Sequence, residues 1–207
     1  MFAGHQHARI VIPAVVDRFV NAVLLNREQL LAFLDHSHAS CDRHHALWFL
    51  IATTGLRRAE ALALRWSDVD LGRARLTIRQ TVTVANGVIV WQRDAKSDDS
   101  ERTIALDTRT VAVLNDHRRQ QVAERLAAGP AWSTHPQDHD LVCTRPDDTA
   151  IPPKHASQQF TRQVDAVGLP RIGHADPAVT MQVYAHALEG DDATAAEITA
   201  TAIFGDG

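Results

Sequence analysis

The sequence predicts a mostly α domain carrying one small three-stranded antiparallel sheet. Three observations predict it. Apolar residues recur at helical spacing in several runs, each with a start or stop signal. The stretch from Arg75 to Leu106 is instead β-branched and alternating, and it holds Asn86-Gly87, a strong hairpin signal. The chain has 207 residues and 45% apolar content, enough for one ordinary domain with a short attachment.

Taken in order, Met1 to Leu25 is mixed, with Pro13 as a breaker and a short apolar helix around Val15 to Leu24. Asn26 is a good N-cap for a helix that runs from Arg27 to about His38, and Gln29 sits three residues on, as in a capping box. Ala39 to Asp42 is a turn. His44 to Ala52 is so apolar that it belongs in the core. Gly55 breaks that helix, and the strong helix formers from Arg58 to Leu64 start another at once. Leu62 and Trp66 fall one turn apart on it, and Ser67 to Asp70 ends the run. Strands are expected over Arg75–Val84, Val88–Trp91 and Glu101–Leu106, joined as a meander through Asn86-Gly87 and the polar turn Asp94 to Ser100. Asp107 caps a long amphipathic helix from Thr108 to about Ala127, with Val111, Leu114, Val122 and Leu126 as its apolar positions, and Gly129-Pro130 stops it. A polar loop, a short extended piece at Leu141 to Thr144 and a turn at Ile151 to Pro153 follow. The next helix, His155 to Val167, closes at Gly168. After an extended connector, Gly173 to Pro177 gives a turn and a Pro-started helix. Glu189 to Ile203 is an Ala-rich, weak helix.

The net charge of −4 weighs against a general nucleic-acid binder, which usually carries a basic excess. It leaves room for a local basic face, since affinity follows the charges near phosphate. Cys41 and Cys143 form no Cys-x-x-Cys and read as reduced thiols of a cytoplasmic protein. Arg9, Asp17 and Arg18 interrupt any signal peptide, and no apolar run is long enough to span a bilayer. The 12 histidines include His5-x-His7, His36-x-His38 and His44-His45, but they lack partners at ligand spacing, so no metal site is expected.

The informative corner is Gly55-Leu56-Arg57. An Arg is a poor choice for a helix start on dipole grounds, so something else must hold it. An anionic ligand is one candidate. A structural pair with Glu60, at i,i+3, is the other.

The longer stretch, Gly55-Leu56-Arg57-x-x-Glu60-x-x-x-Leu64-x-Trp66-x-Asp68-Val69-Asp70, resembles the first motif of the tyrosine recombinases, or phage integrases. The resemblance implies that Arg57 grips a scissile DNA phosphate. It implies that Lys96, in the turn after the second strand, protonates the leaving 5′ oxygen. Val179 to Leu188 is similar to the family's nucleophile segment, which makes Tyr184, the chain's single Tyr, the nucleophile and His174 the third-motif His. One departure stands out. Arg171-Ile172 runs directly into Gly173-His174, where the family has a His-x-x-Arg helix and a further helix. About two helices of ordinary length are expected to be missing there.

The chemistry accounts for the residue types. A Tyr phenol, with a pKa near 10, must lose its proton as it attacks. A guanidinium neutralises charge on the phosphorane-like transition state, and a Lys supplies the leaving-group proton. Energy is kept in the phosphotyrosyl bond, so neither metal nor nucleotide cofactor is implied. The expected division is a remnant of a DNA-clasping domain over 1–24, a recombinase-like catalytic domain over 25–188 and a tail helix over 189–207. The expected partners are double-stranded DNA and, through the tail, a second protomer. The expected function is DNA breaking and rejoining weakened by the missing motif. The alternative is a remnant that only binds DNA or a full-length recombinase.

Overall fold

A computed structural model describes Leu25 and residues 27–92, 102–129, 140–169 and 193–205. Six helices and five strands occur among them: α1 Arg27–Ala39, α2 His45–Thr54, α3 Arg58–Ala63, β1 Val69–Asp70, β2 Arg75–Ile78, β3 Thr81–Ala85, β4 Val88–Gln92, β5 Arg102–Ala105, α4 Thr108–Ala128, α5 Pro153–Ala166 and α6 Ala193–Phe204.

The core is built around α2, in which every residue from Ala46 to Thr53 is buried. That is what its unbroken apolar sequence requires, since a helix apolar all round must be covered all round. Phe33 of α1 and Phe160 of α5 close on Trp48, with ring centroids 6.2 and 5.6 Å away. The Trp48 indole N–H donates to Asp42 at 2.9 Å, so the buried ring keeps its polar atom satisfied. Asp107 caps α4 as expected, accepting from the N–H groups of Arg109 and Thr110 at 2.9 and 3.0 Å. Asn86 and Gly87 both have positive φ, 51° and 79°, the conformation a two-residue hairpin turn demands.

Four expectations need correction. The meander does not form. Thr81–Ala85 and Val88–Gln92 pair with each other alone, while β5 pairs with β2, and the three-stranded sheet has the order β1-β2-β5. The expected strand Arg75–Val84 breaks at Arg79-Gln80. There the Gln80 side chain turns inward and donates to the Ala63 carbonyl at 2.8 Å, and Arg79 pairs with Asp68 at 2.9 Å. Trp66 is not on α3. The helix ends at Ala63 because the chain at 140–142 claims the next residues: Val142 N–H donates to Leu64 O and Trp66 N–H to Asp140 O, at 2.9 and 2.7 Å. Trp66 begins a single 3-10 turn instead. Finally, α4 buries only Thr110 and Leu114, and Val122 and Leu126 are exposed.

The last helix packs on its own chain. Phe204 stacks on Phe49 at 5.1 Å with the Arg109 guanidinium over its ring, and Glu197 accepts from the N–H and hydroxyl of Thr108 at 2.8 and 2.7 Å. No described helix is long and apolar enough to cross a membrane.

Candidate active site

The Arg57 corner is made by backbone chemistry. Gly55 ends α2 in the left-handed region, at φ 66°, and its N–H donates to Ile51 O. A side chain at that φ would be strained, so the glycine sets the angle between α2 and α3. Leu56 then drops into the core, fully buried, and Arg57 follows with extended backbone as the N-cap of α3.

Arg57 has no side-chain oxygen to serve as a cap. Glu60 does the work, its carboxylate accepting the Arg57 backbone N–H at 2.7 Å. The same carboxylate, only 5% exposed, lies 3.3 Å from Nη1 of Arg57 and 3.1 Å from Nη2 of Arg102. Of the two readings of Arg57 left open by the sequence, the i,i+3 pair exists, and the Arg57 side chain remains 71% exposed.

Arg58 continues the positive surface to α5, donating to the Ser157 hydroxyl. Ser157 lines a shallow groove of about 430 Å³ with Lys154, Gln158, Thr161 and Arg162. These five residues follow one another at helical spacing, so they form one polar, basic face of α5. Sequence reading treated α5 only as a helix and missed this face, although the spacing was there to be read. Arg102 was missed as well, since nothing in a strand's alternation marks an Arg that reaches a carboxylate 42 residues away.

Lys96, His174 and Tyr184 lie outside the described residues, as do residues 1–24, the junction at 172–173 and the expected boundary at 188–189. Of the expected site residues, Arg57 alone is described.

The His44-His45 pair is hydrogen-bonded to neighbouring side chains. The His44 ring N–H donates to the Asp42 carboxylate at 3.1 Å, and Nδ1 of His45 lies 3.1 Å from the Ser37 hydroxyl. Burial, with His38 close by, pushes the His45 imidazole down to about 4. Burial likewise lowers His117, whose Nε2 lies 2.7 Å from the Val142 carbonyl. Burial opposes ionisation of Asp42, but hydrogen bonds from His44 and Trp48 outweigh it and hold its carboxyl below the usual range. Among the described residues, no group of three or more His, Cys, Asp or Glu is placed to hold a metal ion.

No family model matches the chain. Individual relatives do. A Tyrosine recombinase XerC-like protein of Caldanaerobacter subterraneus subsp. tengcongensis is 23% identical over 189 residues, covering 75% of this chain and 48% of the relative. An integrase of Streptomyces ambofaciens is 30% identical over 172 residues, covering 68% and 43%. Tyrosine recombinase XerC of Xanthomonas campestris pv. campestris is 29% identical over 157 residues, covering 70% and 44%. The chain thus spans about half the length of the curated relatives it matches. Among solved structures, the Tn1549 transposon integrase in complex with transposon right end DNA superimposes with a TM-score of 0.67 at 14% identity, over 86% of this chain and 57% of that one. XerA recombinase gives 0.59 at 16%, over 86% and 55%.

The fold is that of a tyrosine-recombinase catalytic domain: mostly helical, with a small antiparallel sheet. Sequence and fold together make the chain a relative of the tyrosine recombinases and integrases, as the motif around Arg57 implied.

Proposed function

We propose that this chain acts on double-stranded DNA by tyrosine attack on a phosphodiester. The Tyr184 oxygen bonds to phosphorus as its proton passes to water, and the bond to the 5′ oxygen breaks. Lys96 protonates that oxygen, and the product is a 3′-phosphotyrosyl link. Arg57 neutralises the charge that builds on the phosphoryl oxygens, and His174 completes the set. Neither a metal nor a nucleotide cofactor enters these steps.

One observation supports the reading above the others. On a recombinase fold, a buried carboxylate fixes an Arg that is itself exposed. Exposure alone is common among the paired Arg residues of this chain; with its carboxylate partner buried beneath it, the Arg57 fork is placed to meet an incoming oxyanion. The basic face of α5 extends the same surface, which is where a duplex backbone would continue. Relatives named as integrases and recombinases, and the DNA bound in the Tn1549 complex, favour the same substrate.

Rejoining is slow in this proposal. The sequence has no His-x-x-Arg, and loss of one charged transition-state donor typically costs about a hundredfold to a thousandfold in rate. The catalytic unit in this proposal is 25–188, with 189–207 a tail. Because α6 occupies its groove within one chain, self-association through the tail requires that the helix be exchanged between copies.

The test is covalent. A site is selected from a randomised duplex pool, nicked beside the cleaved bond and incubated with the protein. An adduct that survives denaturation and disappears with Tyr184→Phe is expected. Binding with no adduct would leave the second reading, a DNA-binding remnant.

A further inference from the structure

We propose that Arg102 is a second phosphate-binding guanidinium, acting beside Arg57 in a chain whose sequence has no His-x-x-Arg. The inference rests on the reading of Arg57 given above and goes beyond it.

The geometry begins at Glu60. Its two oxygens lie 3.3 Å from Arg57 Nη1 and 3.1 Å from Arg102 Nη2. One small oxyanion thus already bridges both guanidinium groups. The two unesterified oxygens of a phosphodiester have a spacing similar to those of a carboxylate. A phosphate approaching from solvent can therefore bridge the same pair from the opposite side.

Charge favours that arrangement. Two guanidinium groups and one carboxylate leave a single net positive charge. A phosphodiester carries a single negative one. Glu60, at 5% exposure, faces inward, while Arg57 and Arg102 are 71% and 44% exposed, so the surplus charge faces out. Arg102 gives one nitrogen to Glu60 and, among the described residues, its other donors have no partner. A mere counterion would be expected to spend its fork on the carboxylate it neutralises.

Strand pairing holds Arg102. It stands at the first residue of β5, paired with Ile78 across the three-stranded sheet, and the next pair along carries a Thr77–Thr103 hydroxyl contact at 3.2 Å. Arg57 comes from the corner after α2. Two guanidinium groups 45 positions apart thus converge on one carboxylate, which is how a two-point clamp is assembled.

Salt-dependent DNA binding tests this without needing catalysis. A short labelled duplex of random sequence is titrated with the full chain over a series of salt concentrations. Each phosphate contact contributes about 0.9 to the slope of log K against log salt. Arg57→Gln and Arg102→Gln should each flatten the slope by about that amount, and Arg102→Lys should keep it. Arg119→Gln, at an exposed Arg paired with Asp116 on α4, should leave it unchanged. Glu60→Gln/Arg102→Gln, which leaves no buried carboxylate short of a partner, replaces Arg102→Gln if that variant fails to fold, with Glu60→Gln as its reference. A wild-type slope in Arg102→Gln beside a flattened one in Arg57→Gln would overturn the proposal and leave Arg102 as the counterion of Glu60. Wild-type slopes in both variants would sink the reading of Arg57 as well, and so would a native chain that binds no duplex.

Discussion

Replacing Glu60 probes the corner most sharply, because three donors end on one carboxylate. The bond from the Arg57 backbone N–H, at 2.7 Å to a buried charged acceptor, contributes about 1.5–3 kcal/mol. The two guanidinium pairs end in side chains that are 71% and 44% exposed, so solvent screening reduces each to about 0–1 kcal/mol. Glu60→Ala should therefore destabilise the chain by about 2–4 kcal/mol. Glu60→Gln keeps an acceptor for the backbone N–H but loses the charge, and should cost about 1–2 kcal/mol. Urea unfolding at neutral pH, followed by circular dichroism, reads both, and the m-value should not change. Because the neutral amide orients the guanidinium groups less firmly, the phosphate contacts persist while adduct formation by Glu60→Gln should fall by about a hundredfold, beyond what its stability loss explains. A urea midpoint for Glu60→Ala equal to that of the native chain would refute the reasoning, since Arg57 would then be held by something else.

Other outcomes follow from the packing and the titrating groups. Asp107→Ala removes a cap that is 2% exposed and should cost about 2 kcal/mol in the same urea experiment. Phe204→Ala removes the stack on Phe49 and the Arg109 contact, and should cost about 2 kcal/mol, less than a fully buried Phe because Phe204 is half-buried. Stability should also depend on pH. His45 titrates near 6.5 when unfolded and about 4 when folded, so the unfolded chain binds more protons between these values. Its contribution is whole above pH 6.5 and declines as the pH falls toward 4. A His45→Gln variant should show a flatter decline across that window in thermal melts. An unchanged profile would place the effect on His117 or His155, whose imidazoles burial also lowers.

Much of this molecule could be read from short-range signals. Gly55 and the Asp107 cap act over a few residues, and α2, α4 and α5 fell within a residue or two of their expected ends. The Arg57–Glu60 pair, three apart on one helix, was visible for the same reason. What could not be read depends on partners far along the chain. Gln80 kinks the expected long strand because it reaches the Ala63 carbonyl, 17 residues back, and periodicity carries no record of that bond. The early end of α3 is imposed by backbone from 140–142, more than 70 residues on. Arg102 reads as one more residue of an alternating strand until the fold brings it to Glu60. Val122 and Leu126 have helical spacing, yet spacing alone does not say whether a neighbour covers them.

The account as a whole depends on one phosphorus being met by the Arg57 guanidinium on one side and the Tyr184 oxygen on another. A duplex bearing a single methylphosphonate at the cleaved position tests this most directly, because its neutral linkage no longer needs the charge that Arg57 supplies. Arg57→Ala should form little adduct on the ordinary duplex and regain it on the methylphosphonate, while Tyr184→Phe should form none on either. An Arg57→Ala variant equally defective on both duplexes, or an adduct that survives Tyr184→Phe, would contradict the account.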